Sequence, residues 1–207
     1  MDFEIISAGL KNGWSAFKKN AVAYIVGLII VAFGSCLVVT VAPLFYGLYY
    51  MAIKGSRGDK VEIKDVFCGF KSIDVFIRSW VFWIIYFIVL IIIGATSLIF
   101  ENSSVFAQVG PLLSVLLSLI WGLIAFFSIY IYIMTPSENV IYAYKEGFNI
   151  VKDNLLMAFV AYVVYTIVAV IGSFFAVVGL LVTVPIALVF AVAIMKALKP
   201  DIKDESE

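Results

Sequence analysis

The longest uncharged tract of this chain runs from Leu155 to Met195 and reads LLMAFVAYVVYTIVAVIGSFFAVVGLLVTVPIALVFAVAIM. It contains no Asp, Glu, Lys, Arg or His. A helix crosses the hydrocarbon core of a bilayer, about 30 Å thick, with roughly 20 residues. The tract is too long for one crossing and just long enough for two, with Gly179 and Pro185 near its middle. This pattern predicts an apolar hairpin of two membrane-spanning helices.

Three further tracts lack charged residues and histidine: Ala21–Ile53, Trp80–Phe100 and Val109–Thr135. The second and third each fit one crossing. The first would run about 50 Å as one straight helix, yet it is short for two full crossings, and Pro43 inside it would kink or end a helix. Whether this first hairpin crosses fully or is re-entrant stays open. We predict six spans, at 21–41, 43–54, 80–100, 109–134, 155–176 and 179–197.

The composition agrees with an integral membrane protein. The apolar fraction is 64% and the mean hydropathy is +1.13, whereas soluble domains are roughly 45–50% apolar. We therefore expect an all-α, polytopic helical bundle that forms a single membrane domain over residues 1–200, with a disordered tail at 201–207. The formal net charge of zero provides no global basic field that would attract nucleic acid.

The basic residues are confined to the segments between and around the tracts. With six spans they share one face of the membrane, so the positive-inside rule favours this count and predicts that both termini are cytoplasmic. The opposite face then carries a single charge, Glu101, in the loop Glu101-Asn102-Ser103-Ser104.

Two ten-residue segments repeat the same pattern before the first and last hairpins. Lys11–Asn20 reads KNGWSAFKKN and Lys145–Asn154 reads KEGFNIVKDN, so lysine, glycine then aromatic, lysine and asparagine recur in register. Gly69-Phe70-Lys71 precedes the middle hairpin. We infer three parallel units, each an interfacial helix followed by a two-span hairpin. A proline in each returning limb is expected to shape that limb: Pro43, Pro111 and Pro185.

We call the segment that precedes each hairpin its lead-in segment. Each of the three has the periodicity of an amphipathic helix. Such helices lie in the headgroup plane with their apolar faces towards the lipid, or alternatively pack on the cytoplasmic end of the bundle. The three apolar stripes are Phe3, Ile6, Leu10, Trp14 and Phe17; Val66, Phe70, Ile73 and Ile77; and Ile141, Tyr144, Phe148 and Val151.

The residues that could carry chemistry are few. Ionisable residues within a membrane usually mark ion pathways or proton relays, and the apolar tracts contain no acid, base or histidine. Cys36 and Cys68, without histidine, make no recognisable zinc site. We therefore predict no catalytic, cofactor or metal site and no enzymatic activity. Lys54, Arg57 and Lys60 are candidate contacts to anionic lipid headgroups, each contributing about 1 kcal/mol, or are an ordinary orientation signal.

The order of several short motifs resembles a known group of proteins. Gly13-Trp14 and Phe17–Asn20 are followed by Pro43-Leu44, Gly47-Leu48, Arg57-Gly58 and Gly69-Phe70-Lys71. This order is similar to a group of prokaryotic six-span membrane proteins classed as domains of unknown function, and more distantly to the membrane domain fused to some glycerophosphodiester phosphodiesterases. The resemblance implies a six-span protein of a prokaryotic cell membrane and supplies no catalytic residues.

Function is predicted from where the polar surface gathers. We expect a protein that binds or organises membrane lipid, or another membrane protein, through its cytoplasmic side. The alternative is a facilitator for a small neutral or amphipathic solute, which would need a hydroxyl-lined cavity between facing spans.

Overall fold

Within the residues that the computed structural model describes, 2–100 and 109–206, every regular element is a helix. Six of its helices are long and apolar enough to cross a membrane. This confirms the predicted class, a polytopic helical membrane bundle. The elements are α1 (Asp2–Gly34), α2 (Val38–Ser56), a 3-10 helix η1 (Ile63–Phe70), α3 (Ile73–Phe100), α4 (Val109–Met134), α5 (Val140–Asp153), α6 (Leu155–Ser173) and α7 (Ala176–Leu198).

Two asparagines separate lead-in segments from the spans that follow them. Asn20 has non-helical dihedrals within α1, φ −129° and ψ 27°. Asn154 has similar values between α5 and α6, φ −136° and ψ 41°. Each side-chain amide donates to the carbonyl four residues earlier, Ala16 at 3.2 Å and Ile150 at 3.4 Å. Local side-chain bonds of this kind offer the backbone an alternative to the helical ladder, which favours asparagine at both breaks.

The first hairpin turns earlier than the sequence predicts. Its turn lies between Gly34 and Val38 rather than at Pro43, which lies inside α2. A proline inside a helix leaves the carbonyl four residues earlier without its donor. Here that carbonyl belongs to Val39, and the indole Nε1 of Trp80 on α3 donates to it at 3.2 Å. The helix therefore continues through the proline.

The helices of the first hairpin are shorter than those of the second. At 1.5 Å per residue the part of α1 beyond Asn20 is about 21 Å long and α2 about 28 Å, whereas α3 is about 42 Å long. The second predicted amphipathic stripe is also divided, since η1 ends at Phe70 and α3 begins at Ile73.

Three helices, α2, α4 and α7, pack against one another at the centre of the bundle. Each is the returning limb of a hairpin and packs against its own outgoing limb, which is α1, α3 or α6. The outer faces of α3, α4 and α6 carry exposed large apolar side chains such as Ile91, Leu112 and Phe159. Such apolar faces suit contact with lipid chains rather than with water.

Each lead-in segment packs against a returning limb of a different hairpin. The first part of α1 packs against α7, η1 against α2 and α5 against α4. A glycine makes each approach possible, because a Cβ there would overlap a backbone carbonyl of the partner helix. The pairs are Gly13 with Ile186, Gly69 with Pro43, and Gly147 with Ile124.

Candidate functional site at the basic end

Contacts between distant segments bring the charged residues to one end of the bundle. The Asn12 side-chain amide donates to the Ser56 carbonyl at 3.3 Å, which joins the N-terminal segment to the end of α2. Lys199 pairs with Glu146 at 2.8 Å, which joins the tail to α5. We call this region the basic end. The opposite predicted loop, Glu101–Ser104, lies outside the described residues.

Two of the three candidate headgroup cations are already paired within the protein. Lys54 Nζ lies 2.8 Å from Asp65 Oδ2, and the Asp65 side chain is 9% exposed. Arg57 donates to both carboxylate oxygens of Asp204. Lys60 differs: its side chain is 82% exposed, and Glu62 lies 4.0 Å away. Headgroup contact by these residues stays a prediction, and only Lys60 projects fully from the surface.

The C-terminal tail lies across the ends of the three central helices instead of being disordered as its composition predicts. Asp204 pairs with Arg57, just after α2, and with Lys196 on α7 at 3.2 Å. The Glu205 backbone N–H donates at 2.7 Å to the carbonyl of Met134, the last residue of α4. An acidic tail is held here because two cations and a free helix-terminal carbonyl meet it.

Asp204 is partly buried among these partners. Burial on its own raises the pKa of the Asp204 carboxyl, but hydrogen bonds from Arg57 and Ser206, together with the charges of Arg57 and Lys196, outweigh it. The net effect holds the pKa of Asp204 below its ordinary value. The carboxyl is therefore ionised near neutral pH.

The outer face of each lead-in segment carries an aromatic ring between two lysines. The spacing is the same in all three, lysine to aromatic three residues and aromatic to lysine four. In the α-helical first and third segments it places the three side chains on one helix face, whereas in the middle segment Lys71 follows the last residue of the 3-10 helix η1. Trp14, Phe67 and Phe148 are 48%, 46% and 50% exposed, and the flanking lysines are exposed as well. We call them the lysine–aromatic faces: Lys11, Trp14 and Lys18; Lys64, Phe67 and Lys71; and Lys145, Phe148 and Lys152.

The second of these faces is not predicted from the sequence above, although its lysine–aromatic–lysine spacing is present in the sequence. Aligning the middle segment on Gly69-Phe70-Lys71 hides the spacing that Lys64, Phe67 and Lys71 share with the other two segments. Aligning on the lysine pair instead would find it. The glycine does not keep the same register: Gly69 follows Lys64 by five residues, whereas Gly13 and Gly147 follow their first lysines by two.

Most of the lysines on these faces keep their charge unpaired. Lys64 pairs with Glu62 at 2.6 Å, and Lys18 Nζ lies 5.5 Å from the centre of the Trp14 ring. The others, within the described parts of the chain, form no ion pair: Lys11, Lys71, Lys145 and Lys152. An exposed ring beside free ammonium groups is typical of a surface at the level of lipid headgroups.

The three candidate prolines occupy two kinds of position. Pro43 and Pro185 lie equally far from the last residues of their helices, Ser56 and Leu198. Pro111 is the third residue of α4, in the first turn, where a missing N–H removes no helical hydrogen bond. Pro43 and Pro185 therefore shape the interiors of returning limbs, whereas Pro111 is compatible with the start of one.

Several serine and threonine hydroxyls in the described spans form local hydrogen bonds. Ser114 Oγ lies 2.8 Å from Thr96 Oγ1 across α3 and α4. Ser128 and Thr166 each donate at 2.8 Å to a carbonyl of their own helix, those of Ile124 and Tyr162. These hydroxyls are satisfied by local packing.

Tyrosines instead line a small cavity between the spans. It has a volume of about 160 Å³ and is formed by α2, α3, α4 and α6. Its wall includes Tyr49, Trp83, Tyr86, Phe126 and Tyr162. We call it the aromatic cavity. No group of three His, Cys, Asp or Glu residues that could hold a metal ion occurs within 2–100 and 109–206.

Comparison with family models, with curated proteins and with solved structures finds no match to this chain. The fold by itself defines the class, a multi-pass helical membrane protein. The resemblance to six-span prokaryotic proteins of unknown function stays a prediction.

Proposed function

We propose that this protein is a non-enzymatic, multi-pass membrane protein that binds anionic lipid headgroups through its basic end and organises lipid around it. The observation that carries the proposal is the set of three lysine–aromatic faces, exposed and alike in spacing. A membrane protein with acidic surface at the same level is the other partner that this chemistry would accept. The basic end faces the cytoplasm of a prokaryotic cell in this proposal, with both termini on that side.

The physical reason is that two favourable contributions to the free energy of membrane binding combine on each face. A lysine near an anionic membrane surface contributes about 1 kcal/mol, and an exposed aromatic ring gains by leaving water for the headgroup region. Lys54 and Arg57 contribute less to this surface, because Asp65 and Asp204 neutralise them.

We further propose that the chain consists of three related units, each a lead-in segment followed by a hairpin. Four features support this interpretation. The lysine–aromatic spacing is common to all three segments, Asn20 and Asn154 break their helices in the same way, a glycine makes each close approach, and each segment packs against a different returning limb. Arranged in this way, each of the three segments contacts one of the central helices.

Lipid binding is tested with the full chain in nanodiscs of neutral lipid containing a small fraction of phosphatidylglycerol. The anionic lipid retained per protein is measured by native mass spectrometry. Replacing Lys145 and Lys152 by glutamine removes two unpaired charges from one face and is expected to weaken retention about 30-fold, the equivalent of about 2 kcal/mol. Phe148→Ala is expected to weaken it without any change of charge.

The matched control replaces Lys19 and Lys203 by glutamine, which removes the same charge from exposed positions outside the faces and outside the candidate headgroup contacts. A smaller effect of the control supports the proposal. Equal effects of the two pairs would mean that lipid responds only to net charge, and no enrichment of phosphatidylglycerol in the wild type would refute lipid binding.

A facilitator for a small neutral or amphipathic solute is the second candidate. The aromatic cavity is the observation that favours it, although the serine and threonine hydroxyls bond locally. Uptake of a neutral solute into proteoliposomes, compared with protein-free liposomes, tests this candidate directly.

A further inference from the structure

The aromatic cavity combines small size, ring walls and free hydroxyls. Its rings meet largely edge to face: Phe126 lies 5.3 Å from Tyr162 at 77° and 4.9 Å from Tyr165 at 61°. The ring centres of Tyr49 and Tyr130 lie 5.2 Å apart, and the two ring planes make an angle of 87°. Ring centres 4.5–7 Å apart in this orientation are a favourable aromatic geometry, so one more ring could add to the same arrangement.

The hydroxyls around the cavity lack partners in the protein. Within 2–100 and 109–206, the hydroxyls of Tyr49, Tyr86, Tyr162 and Tyr165 make no hydrogen bond. The hydroxyl of Tyr130, one layer behind, is buried and also unpaired. The buried Tyr130 hydroxyl has an unmet hydrogen-bonding capacity, whereas the four lining hydroxyls are unbonded but not fully buried. A bound group that both donates and accepts hydrogen bonds could pair with these lining hydroxyls.

The size and charge of the cavity limit what it can hold. An apolar cavity of about 150 Å³ accommodates one benzene molecule, and this cavity is of about 160 Å³. No lining residue carries a charge, and burying an ion without a counter-charge is strongly unfavourable. The part of a ligand that this cavity holds is therefore neutral and about the size of one ring.

The position of the cavity makes it reachable from the lipid. Tyr49 and Tyr162 each lie about 10 Å from the basic-end terminus of their helix, at 1.5 Å per residue. Its wall includes the outer helices α3 and α6 as well as the central helices. Small neutral aromatic compounds partition into bilayers and could enter at this depth.

We infer that the aromatic cavity binds a neutral single-ring compound that carries a hydroxyl group, of which phenol is the simplest. The ring packs against Phe126 and its neighbours, and the hydroxyl bonds to the tyrosines. This binding depends neither on lipid binding at the basic end nor on transport, so either could fail without affecting it.

The test uses saturation-transfer NMR on the full chain in nanodiscs, with phenol, benzene and tetramethylammonium as probes and empty nanodiscs as the background. Saturable binding of phenol, tighter than that of benzene, is expected. Tyr162→Phe keeps the ring and removes a hydroxyl, so it is expected to weaken phenol binding two- to tenfold, as the loss of one hydrogen bond implies, and to leave benzene unchanged. Tyr142→Phe, on α5 outside the cavity, is the matched control.

Filling the cavity provides a second variant. A Cβ at Gly122 meets only the Tyr162 hydroxyl, at 3.9 Å, so Gly122→Leu can extend into the cavity and is expected to abolish binding of both ring probes. If this variant does not fold, Tyr162→Phe decides. Phenol binding that is absent, or that Tyr162→Phe leaves unchanged, would overturn the inference. Saturable tetramethylammonium binding without phenol binding would replace it with an organic-cation site.

Discussion

The indole N–H of Trp80 donates to the carbonyl of Val39, the carbonyl that Pro43 leaves without a helical donor. The bond is 3.2 Å long and joins α3 to the proline-bearing helix of the first hairpin. It therefore links the local defect at Pro43 to the packing of two hairpins.

We expect Trp80→Phe to destabilise the fold by about 1 kcal/mol, the usual net value of one hydrogen bond. In a Pro43→Ala background the helix recovers its own N–H donor, so Trp80→Phe should cost clearly less there. A double-mutant cycle on thermal unfolding in detergent measures the difference. Additive effects would mean that Trp80 acts only through packing.

The docked tail depends on the ion pair between Arg57 and Asp204. Their side chains are 16% and 18% exposed, so the pair is better shielded from solvent than a surface pair. Asp204→Asn removes the charge and keeps the shape, and we expect amide exchange at Glu205 to become about tenfold faster or more. Lys203→Gln, at an exposed position of the same tail, is the control and should leave exchange unchanged.

Docking of the tail should also depend on pH. The pKa of Asp204 is lower in the docked state than in a released tail, where the ordinary value is about 3.9. The released tail therefore binds the proton more tightly, so docking is complete above about pH 4 and is lost as the pH falls through the docked-state pKa. Amide exchange at Glu205 as a function of pH measures this, and Asp204→Asn should remove most of the dependence.

The sequence predicts the class of fold because the bilayer imposes it. Uncharged tracts of a given length and the distribution of lysine and arginine are enough to give six spans, and the structure has six helices of suitable length and polarity within its described residues. The position of the first turn is not predicted, because the partner of the Val39 carbonyl is Trp80, on another helix. The local effect of proline on its own helix does not predict a hydrogen bond from a different helix.

The site is predicted only in part for the same reason. Composition suggests a free tail and a basic first loop, yet Arg57 and Asp204 neutralise each other from positions far apart in the chain. Gly13 and Gly147 are visible as a repeated pattern, but the carbonyls that they approach, on α7 and α4, are set by tertiary packing. The aromatic cavity is formed by residues of four helices, so no single short motif predicts it.

The two helix-breaking asparagines should differ in their contribution to stability although their backbone conformations are alike. The Asn20 side chain accepts a bond from the buried Val61 N–H at 2.9 Å, and it also donates to the Ala16 and Asp59 carbonyls. For Asn154 the side-chain bond is the one to the Ile150 carbonyl. Removing the Asn20 side chain therefore leaves the buried Val61 N–H without an acceptor, which lowers the free energy of unfolding by about 1–3 kcal/mol. Removing the Asn154 side chain leaves no comparable group unpaired.

We expect Asn20→Ala to lower the free energy of unfolding by about 1–3 kcal/mol and Asn154→Ala to lower it by only a few tenths of a kcal/mol. Thermal unfolding of both variants in the same detergent provides the comparison. Asn20→Asp serves as the control, because its carboxylate still accepts from Val61 while the donated bonds are lost. Equal losses in Asn20→Ala and Asn154→Ala would mean that the backbone break itself, rather than the bond to Val61, determines stability at these positions.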